Sequence, residues 1–575
     1  MNPISLEEPG CAAACAVPEA KPAPASWTAR SAAIVSGLAS SLLAACGGGS
    51  GSPAPSPEPP PPPPPPAISR AEASRFLAQA SMGATADHIA RVQAIGYSAW
   101  LDEQMAMTPS TSRWDWLVAA GFSAATNRNT EAGFDACAWR KLLSAPDTLR
   151  QRVTFALSEI TVAAIDGLVG GGWRAFSAAA YLDLLEANAF GNYRTLLQQV
   201  SLSAPMGEYL TYRGNVKYNA KTGAAPDENY AREVMQLFSI GLLQLNLDGT
   251  PKLVGGKVQE TYTLDDITGL ARVFTGWDYD LSGTTTATPD FKRRPMAQVA
   301  SRHELGEKTF LGVTIPGNTD GATSLTLALD HLFAHDNVAP FISRQLIQRL
   351  VCSNPSPAYV SRVATVFNND GSGVKGNLKA VLKAILLDAE ARDATHLADP
   401  NFGKLREPIL RMTAWARAFK VTSASDAWGV GDTTNPATRL GQSPLRSPSV
   451  FNFFRPGYVP PNTGIASASL VAPEFQITNE STVVGYLNFM QRLIGSGIND
   501  VRADYSALMP LADNAQSLLD ELNVLLAAGR IGSDSLSALR TAIDSMPSGT
   551  DATRLNRIYA AVLLVMAAPE FIVQK

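Results

Sequence analysis

Hydrophobic residues recur at intervals of three and four positions through most of the chain beyond residue 69, which places them on one face of an α-helix. Capping residues and prolines precede many of these segments, where helices prefer to begin. The pattern predicts a helix that opens at Pro146 and Asp147, and helices over residues 70–80, 98–105, 181–190, 193–202, 264–274, 325–333, 340–351, 357–367, 378–388, 408–419, 482–493, 514–528, 535–545 and 554–567.

The stretch over residues 226–245 is predicted to be the most polar helix of the chain. Its apolar positions share one face, and Glu228 and Arg232 are four residues apart and can pair. Asn229, Arg232, Glu233 and Gln236 give this helix more directed hydrogen-bonding groups than an ordinary surface helix needs. The stretch is therefore the leading candidate for a polar site.

Two segments depart from the helical pattern. Residues 278–323 are rich in Gly, Thr and Pro, which favours loops with at most one small β-hairpin. Residues 429–473 are irregular, and the four rings between Ser449 and Tyr458 either pack as a loop onto the core or stack on sugar rings. The sequence predicts a mainly α fold, a multi-helical globular body over residues 67–575 that forms one unit or two lobes parted by the loop-rich segment.

The composition is that of an ordinary globular protein. The chain has 575 residues, 46% hydrophobic and 17% charged, with a formal net charge of -4. This charge provides no general basic field, so nucleic acid is not a predicted partner. No apolar run in the body is long enough to cross a bilayer.

An apolar segment near the N-terminus predicts export. Residues 31–45 follow Arg30, are too short to span a bilayer and match the h-region of a secretory signal. The segment ends in Leu-Ala-Ala-Cys at residues 43–46, which resembles the lipobox of bacterial lipoproteins. Residues 1–46 are therefore predicted to be a lipoprotein-type signal with Cys46 as the lipidated residue. The alternatives are an ordinary cleaved signal peptide and an apolar segment without function.

Residues 47–66 consist almost wholly of Gly, Ser and Pro, which predicts a disordered spacer between the membrane and the body. The expected location is the bacterial cell envelope, with a lipid anchor at the outer membrane or the periplasmic face, or outside the cell. Cys11 and Cys15 fall within the predicted signal, which leaves Cys137 and Cys352 in the body. Export permits a disulfide between these two, and two separate buried thiols fit their wide spacing equally well.

Five motifs in the body are similar to those of one bacterial family. They are Pro226-Asp-Glu-Asn-Tyr-Ala-Arg-Glu-Val-Met-Gln-Leu-Phe-Ser-Ile-Gly, Phe274-Thr-Gly-Trp, His303 with Lys308 and Gly312, His335-Asp-Asn-Val-Ala-Pro-Phe, and Ala568-Pro-Glu-Phe. Together they resemble the domain-of-unknown-function family 1800 from Ala71 to the C-terminus. The resemblance implies a mostly α-helical exported protein, often encoded beside a secreted sulfatase-related protein, and implies no established reaction. That co-encoded protein is a candidate partner.

The first group of candidate site residues is Glu228, Asn229, Arg232 and Glu233. Two carboxylates beside an arginine can form an acid–base pair whose pKa values the arginine tunes. Arginine also commonly holds carboxylates in structural ion-pair networks between helices, and this is the favoured interpretation of Arg232.

The second group is His303, Lys308, His335 and Asn337. His331 and His335 are four residues apart and would share the face of a continuous helix, as a metal site requires. However, Asn337 indicates that the helix ends near His335, which favours His335 as a hydrogen bonder at the helix end, and no metal ligands are predicted. Only folding can bring the two groups into one polar pocket.

The familiar signatures of enzyme classes are absent from the sequence. It contains no Gly-x-Ser-x-Gly elbow, no phosphate-binding Walker loop and no dinucleotide-binding glycine fingerprint, and nothing identifies a cofactor. Two hypotheses remain. The first is an envelope protein that binds a protein partner or an extracellular polymer. The second is a hydrolase of such a polymer that uses Glu228 or Glu233 with His303 and His335.

Overall fold

Several helices of the body begin at residues whose side chains cap them. The computed structural model describes residues 67–575, so the predicted signal, Cys46 and the spacer lie outside the described residues. Ser69 and Glu72 form a reciprocal capping box at the first helix, and Thr263 and Asp266 form another. These side chains satisfy backbone N–H groups that have no partner inside the helix.

The described region is mainly α-helical, as predicted. Its helices are α1 (Arg70–Ala80), α2 (Ala86–Ala106), α3 (Arg113–Ala119), α4 (Phe134–Ser144), α5 (Thr148–Ser158), α6 (Arg174–Asn188), α7 (Tyr193–Leu202), α8 (Ala204–Tyr209), α9 (Asn229–Gln236), α10 (Leu264–Ala271), α11 (Gly321–Ala334), α12 (Val338–Leu350), α13 (Pro357–Asn368), α14 (Leu378–Leu386), α15 (Ala389–Arg392), α16 (Pro408–Ala418), α17 (Gly464–Ser467), α18 (Glu480–Ser496), α19 (Ala515–Ala527), α20 (Ser533–Asp544), α21 (Asp551–Ala567) and α22 (Pro569–Ile572).

The β-structure consists of short antiparallel pairs. They join β1 (Leu253–Val254) to β2 (Lys257–Val258), β3 (Trp277–Asp278) to β4 (Ala297–Gln298), β5 (Lys308–Phe310) to β6 (Val313–Ile315), β7 (Lys404–Leu405) to β10 (Val573–Gln574), and β8 (Thr422–Ser423) to β9 (Val501–Arg502). The β5–β6 hairpin confirms the hairpin predicted within the loop-rich segment. The β3–β4 pair joins the two ends of a long connection near the start of that segment.

Buried apolar side chains from α1 to α22 form one continuous cluster. Helix α1 packs against α2 and against α19, which brings the two ends of the described region together. Cys137 and Cys352 are both buried in this core and both are free thiols. Within residues 67–575, no helix combines the length and apolar character needed to cross a bilayer.

The predicted helix over residues 226–245 is wrong beyond Gln236, where α9 ends. Gly241 adopts a φ of +71°, a conformation that residues with a side chain rarely take. A Cβ at Gly241 would also lie 2.6 Å from the ring of Phe341. Gly241 therefore cannot continue a helix, and the residues that follow it form isolated β-bridges instead.

Gly269 in α10 lies directly against β5. A Cβ at Gly269 would be 1.7 Å from Thr309 O, so Gly269→Ala should push the helix and strand apart and lower the free energy of unfolding by about 3 kcal/mol. Gly495→Ala in α18 is the control, because its Cβ would meet only Tyr559, at 3.8 Å. That change should leave stability unchanged or raise it by up to about 1 kcal/mol. Denaturant unfolding measures both, and wild-type stability of Gly269→Ala would contradict the close packing.

Candidate functional site

A cleft of about 540 Å³ opens beyond the end of α9. It is lined by part of the segment from Gln236 to Leu245, by α12 from Phe341 to Arg349, and by the loop from Val450 to Gly457. Glu159 and Ile160, which follow α5, line it as well. The volume is in the range of small-molecule and cofactor sites in proteins.

Asn337 holds one wall of this cleft in place. Its Oδ1 accepts a hydrogen bond from Leu245 N at 2.9 Å, and its Nδ2 donates to Ile240 O at 2.8 Å and to Leu243 O at 2.7 Å. His335 Nδ1 in turn accepts from Asn337 N at 3.0 Å. A single buried amide therefore replaces the backbone hydrogen bonds that this segment lost when the helix ended.

Six ionisable side chains lie buried beside the cleft, and we call them the buried charge cluster. Each is at most 6% exposed, and the members are Arg152, Glu159, Arg349, Lys404, Glu407 and Glu474. Arg349 lies 3.7 Å from the Glu159 carboxyl group, and Lys404 lies 3.0 Å from that of Glu474. Arg152 and Lys404 also donate to Arg349 O, at 2.6 and 2.9 Å. The cluster therefore joins segments that are far apart in the sequence.

Glu159 and Glu407 are hydrogen-bonded to each other within this cluster. Asn452 donates to Glu159 Oε1 at 3.1 Å, and Gln442 donates to Glu407 Oε2 at 2.7 Å. The other oxygen of each carboxyl group accepts no hydrogen bond from any described residue outside the pair. Two carboxyl groups in this contact cannot both be ionised without strong repulsion, so the pair shares a proton.

The shared proton belongs to Glu159. Burial, together with the neighbouring charge of Glu407, raises the pKa of Glu159. Burial also acts to raise the pKa of Glu407, but the charge of Lys404 and the hydrogen bond from Glu159 outweigh it and lower that pKa. Glu159 is consequently the neutral member of the pair.

The charged side chains that line the cleft are predominantly cationic. Arg344 and Arg455 are exposed, and neither forms an ion pair with any residue in the described range 67–575. Arg349 contributes a third guanidinium, and Glu159 is the one acidic residue in the lining. With Glu159 neutral, the lining carries three positive charges and no negative charge.

Amide and aromatic groups complete the lining. Gln345 is 8% exposed, and its Nε2 has no hydrogen-bond acceptor within residues 67–575. Arg455 lies over the ring of Phe451, with 4.5 Å between the guanidinium carbon and the ring centroid. Phe454 is fully buried instead and packs under Arg349. The aromatic loop thus contributes one ring to the core and one to the cleft.

The first group of predicted site residues lies on α9 and at its N-cap, Glu228, outside the cleft lining. Arg232 reaches Glu228 at 3.8 Å within the same helix, and both side chains are partly exposed, so this pair contributes little stability and does not clamp two helices. Thr268 donates to Glu228 at 2.7 Å, and Asn229 Nδ2 bonds to Thr211.

Glu233 differs from its neighbours on α9. Its side chain is buried, and its Oε2 has no hydrogen-bond donor among the described residues. Burial raises the pKa of Glu233.

The second group separates into two pairs, also outside the cleft lining. His303 is buried and its Nδ1 donates to Thr275 O at 3.0 Å, while the buried Lys308 nearby donates to Gly306 O. The other pair is His335 and Asn337. Helix α11 ends at Ala334 with His335 as its C-cap, as the sequence predicted. Among residues 67–575, no three His, Cys, Asp or Glu side chains are grouped as a metal site would need.

The residues of the buried charge cluster were not among the predicted site residues. A signal was present in Lys404-Leu-Arg-Glu-Pro, which places three charges directly before a helix, and in Arg349, a charge directly before the apolar residues Leu350 and Val351. Neither pattern identifies its partner, because the partners come from distant parts of the chain.

The raised pKa of Glu159 makes stability depend on pH. The folded state holds a proton that the unfolded state releases above its ordinary pKa of about 4.3, so the contribution of Glu159 decreases as the pH rises from there towards the folded-state value. Glu159→Gln removes this dependence. As the pH rises between these two pKa values, the free energy of unfolding of the wild type should decrease by at least about 1 kcal/mol more than that of Glu159→Gln. Denaturant unfolding measures both. Glu307→Gln, at an exposed position, is the control, and parallel curves for wild type and Glu159→Gln would contradict the shared proton.

Comparison with known proteins agrees with the motifs found in the sequence. A family model described as "Protein of unknown function (DUF1800)" matches residues 75–573. Neither the curated proteins nor the solved structures contain a match to the chain. Because the family model covers most of the chain, the protein belongs to the DUF1800 family of proteins of unknown function.

Proposed function

We propose that this protein binds an acidic polymer in the cleft. The main observation behind the proposal is the charge of the lining, where Arg344 and Arg455 form no ion pair within residues 67–575 and Arg349 adds a third positive charge. Guanidinium groups bind carboxylate, sulfate and phosphate groups through charge-assisted hydrogen bonds. An anionic ligand would supply the partner that the protein does not provide.

The other cleft residues favour a polysaccharide among acidic polymers. Phe341 and Phe451 offer apolar ring faces of the kind that pack against sugar rings. Gln236, Gln345 and Gln348 offer amides, which bind hydroxyl groups as donors and acceptors. A chain of acidic sugars presents all three features, namely charge, hydroxyl groups and apolar ring faces.

Binding should therefore depend on the exposed arginines. The double variant Arg344→Ala/Arg455→Ala should bind polygalacturonate at least about tenfold more weakly than the wild type, because two charge-assisted contacts are lost. Isothermal titration calorimetry measures this, with neutral dextran as the polymer control. Arg540→Ala removes an exposed arginine of α20 outside the cleft and should bind like the wild type. Equal binding of dextran and polygalacturonate, or unchanged binding by the double variant, would contradict the proposal.

We also propose that the protein is exported and anchored by lipid to the cell envelope, which would place the cleft beside extracellular and envelope polymers. The support is the lipobox-like sequence at residues 43–46 and the proline-rich spacer. A co-encoded secreted protein stays a predicted partner.

Replacement of Cys46 tests the anchor. Cys46→Ala should move the protein from the membrane fraction to the soluble fraction, because the thiol that carries the lipid is gone. Mass spectrometry of the wild type should find a lipidated N-terminal cysteine at position 46. An unmodified mature N-terminus at any other position would exclude the anchor.

The hydrolase hypothesis based on Glu228 or Glu233 with His303 and His335 stays a prediction. His303 and His335 each have local hydrogen-bond partners, Thr275 and Asn337 respectively.

A further inference from the structure

Glu159 is the one carboxyl group in the cleft lining, and a second carboxyl group, that of Glu407, is hydrogen-bonded to it from the protein interior. Buried carboxyl pairs that share a proton are unfavourable for stability alone and are common where a protein transfers protons. The polymer-binding function proposed above does not require this pair.

The charged groups around Glu159 come from several elements. Arg349 reaches it from α12, Lys404 from β7, and Glu407 from the start of α16. Arg152, on α5, interacts electrostatically with both members of the pair and with Glu474. The cationic members keep the pair from holding two protons, and the negative charge of Glu407 moves the ionisation of Glu159 to higher pH.

This arrangement suits a reaction in which negative charge develops on the ligand. Cations and amide donors around a bound carboxylate stabilise the charge that appears when a proton leaves the adjacent carbon. A carboxyl group with a raised pKa is a stronger base in its ionised form, and its pKa is better matched to neutral pH.

Hydrolysis of a glycosidic bond requires different catalytic groups from elimination. It commonly uses two carboxyl groups that flank the bond, and positive charge develops on the sugar ring. The lining of this cleft contains one carboxyl group and three arginines, which oppose that positive charge. It contains no Ser, Cys or His for nucleophilic attack. The cleft chemistry thus favours elimination over hydrolysis.

We infer that Glu159 is the acid–base residue of an elimination that cleaves polymers of carboxylate-bearing sugars bound in the cleft. This inference rests on the proposed binding function. The ionised Glu159 removes the proton from the carbon next to the sugar carboxylate. A carbon–carbon double bond forms to the neighbouring carbon, whose bond to the linking oxygen breaks. The departing oxygen takes the proton from Glu159, which regains its starting state without water or an oxidant. Glu407 is a positioning residue that orients Glu159 and tunes its ionisation.

The test uses the full chain with polygalacturonate, alginate and hyaluronate. The wild type should convert at least one of them to an unsaturated product, detected by its ultraviolet absorbance. Glu159→Gln should reduce the turnover rate by at least about 100-fold, which is the lower range for lost acid–base catalysis. The variant should fold normally, because the glutamine amide can donate to Glu407 as the protonated Glu159 does. Its affinity for the polymer should stay within about threefold of wild type, and Arg540→Ala should retain wild-type turnover.

Glu407→Gln tests the positioning role. Removal of the neighbouring negative charge makes Glu159 easier to ionise, so the rising limb of the pH–rate profile should shift to lower pH. A lower rate with an unshifted profile would mean that Glu407 is only structural.

The outcomes separate this inference from the binding proposal. Binding without an unsaturated product from all three polymers would overturn the elimination and leave the binding proposal intact. New reducing ends without ultraviolet absorbance would indicate hydrolysis and also overturn it, as would full activity of Glu159→Gln. Failure of all three polymers to bind would overturn both.

Discussion

The buried charge cluster is the constraint on which the cleft depends. Its ionisable groups come from α5 and the residue after it, α12, β7, the residue before α16, and the turn at Pro473–Ile477. An ionised side chain left without a partner away from water is destabilising by several kcal/mol, so these segments must meet in one arrangement. Because Glu159 and Arg349 belong both to the cluster and to the cleft lining, the same arrangement determines the shape and charge of the cleft.

The wall beyond α9 depends on a different kind of interaction. The chain leaves its helix at Gln236, and the buried amide of Asn337 then binds the backbone of Ile240, Leu243 and Leu245. Hydrogen bonds from Asn337, the N-cap of α12, thus take the place of helical hydrogen bonds. They fix the position of the segment beyond α9 relative to α12, the opposite wall of the cleft. The most specific family motif of the chain, the stretch from Pro226, therefore contributes to the cleft through the segment that follows its helix. Of its polar helical residues, Gln236 lines the cleft, whereas Asn229, Arg232 and Glu233 lie outside it.

Local signals explain which parts of the fold the sequence predicts. Helices with a side-chain cap, such as α1 at Ser69 and α10 at Thr263, were predicted close to their observed starts. Helix α4 was missed, and its N-cap is Gly133, which offers no side-chain hydrogen bond. The predicted helix over residues 226–245 was too long because the chain beyond Gln236 is held by hydrogen bonds from Asn337, which is distant in sequence.

The candidate site was predictable only in part, because its contacts also join residues that are distant in sequence. The sequence predicts Asn337 as a polar residue near a helix end, yet its role depends on the chain that packs against it. The pairing of Glu159 with Glu407 depends wholly on tertiary structure.

The central claim is that Glu159 shares a proton with Glu407 and leaves the cleft lining cationic. The protonation state of Glu159 at neutral pH tests this claim most directly. Infrared spectra of the wild type and of Glu159→Gln should differ by the carbonyl band of a protonated carboxyl group, present in the wild type and lost in the variant. That result would establish that no side chain in the cleft lining carries a negative charge. A difference spectrum with only ionised carboxylate bands would mean that Glu159 neutralises Arg349, and would contradict both the shared proton and the anion-binding cleft derived from it.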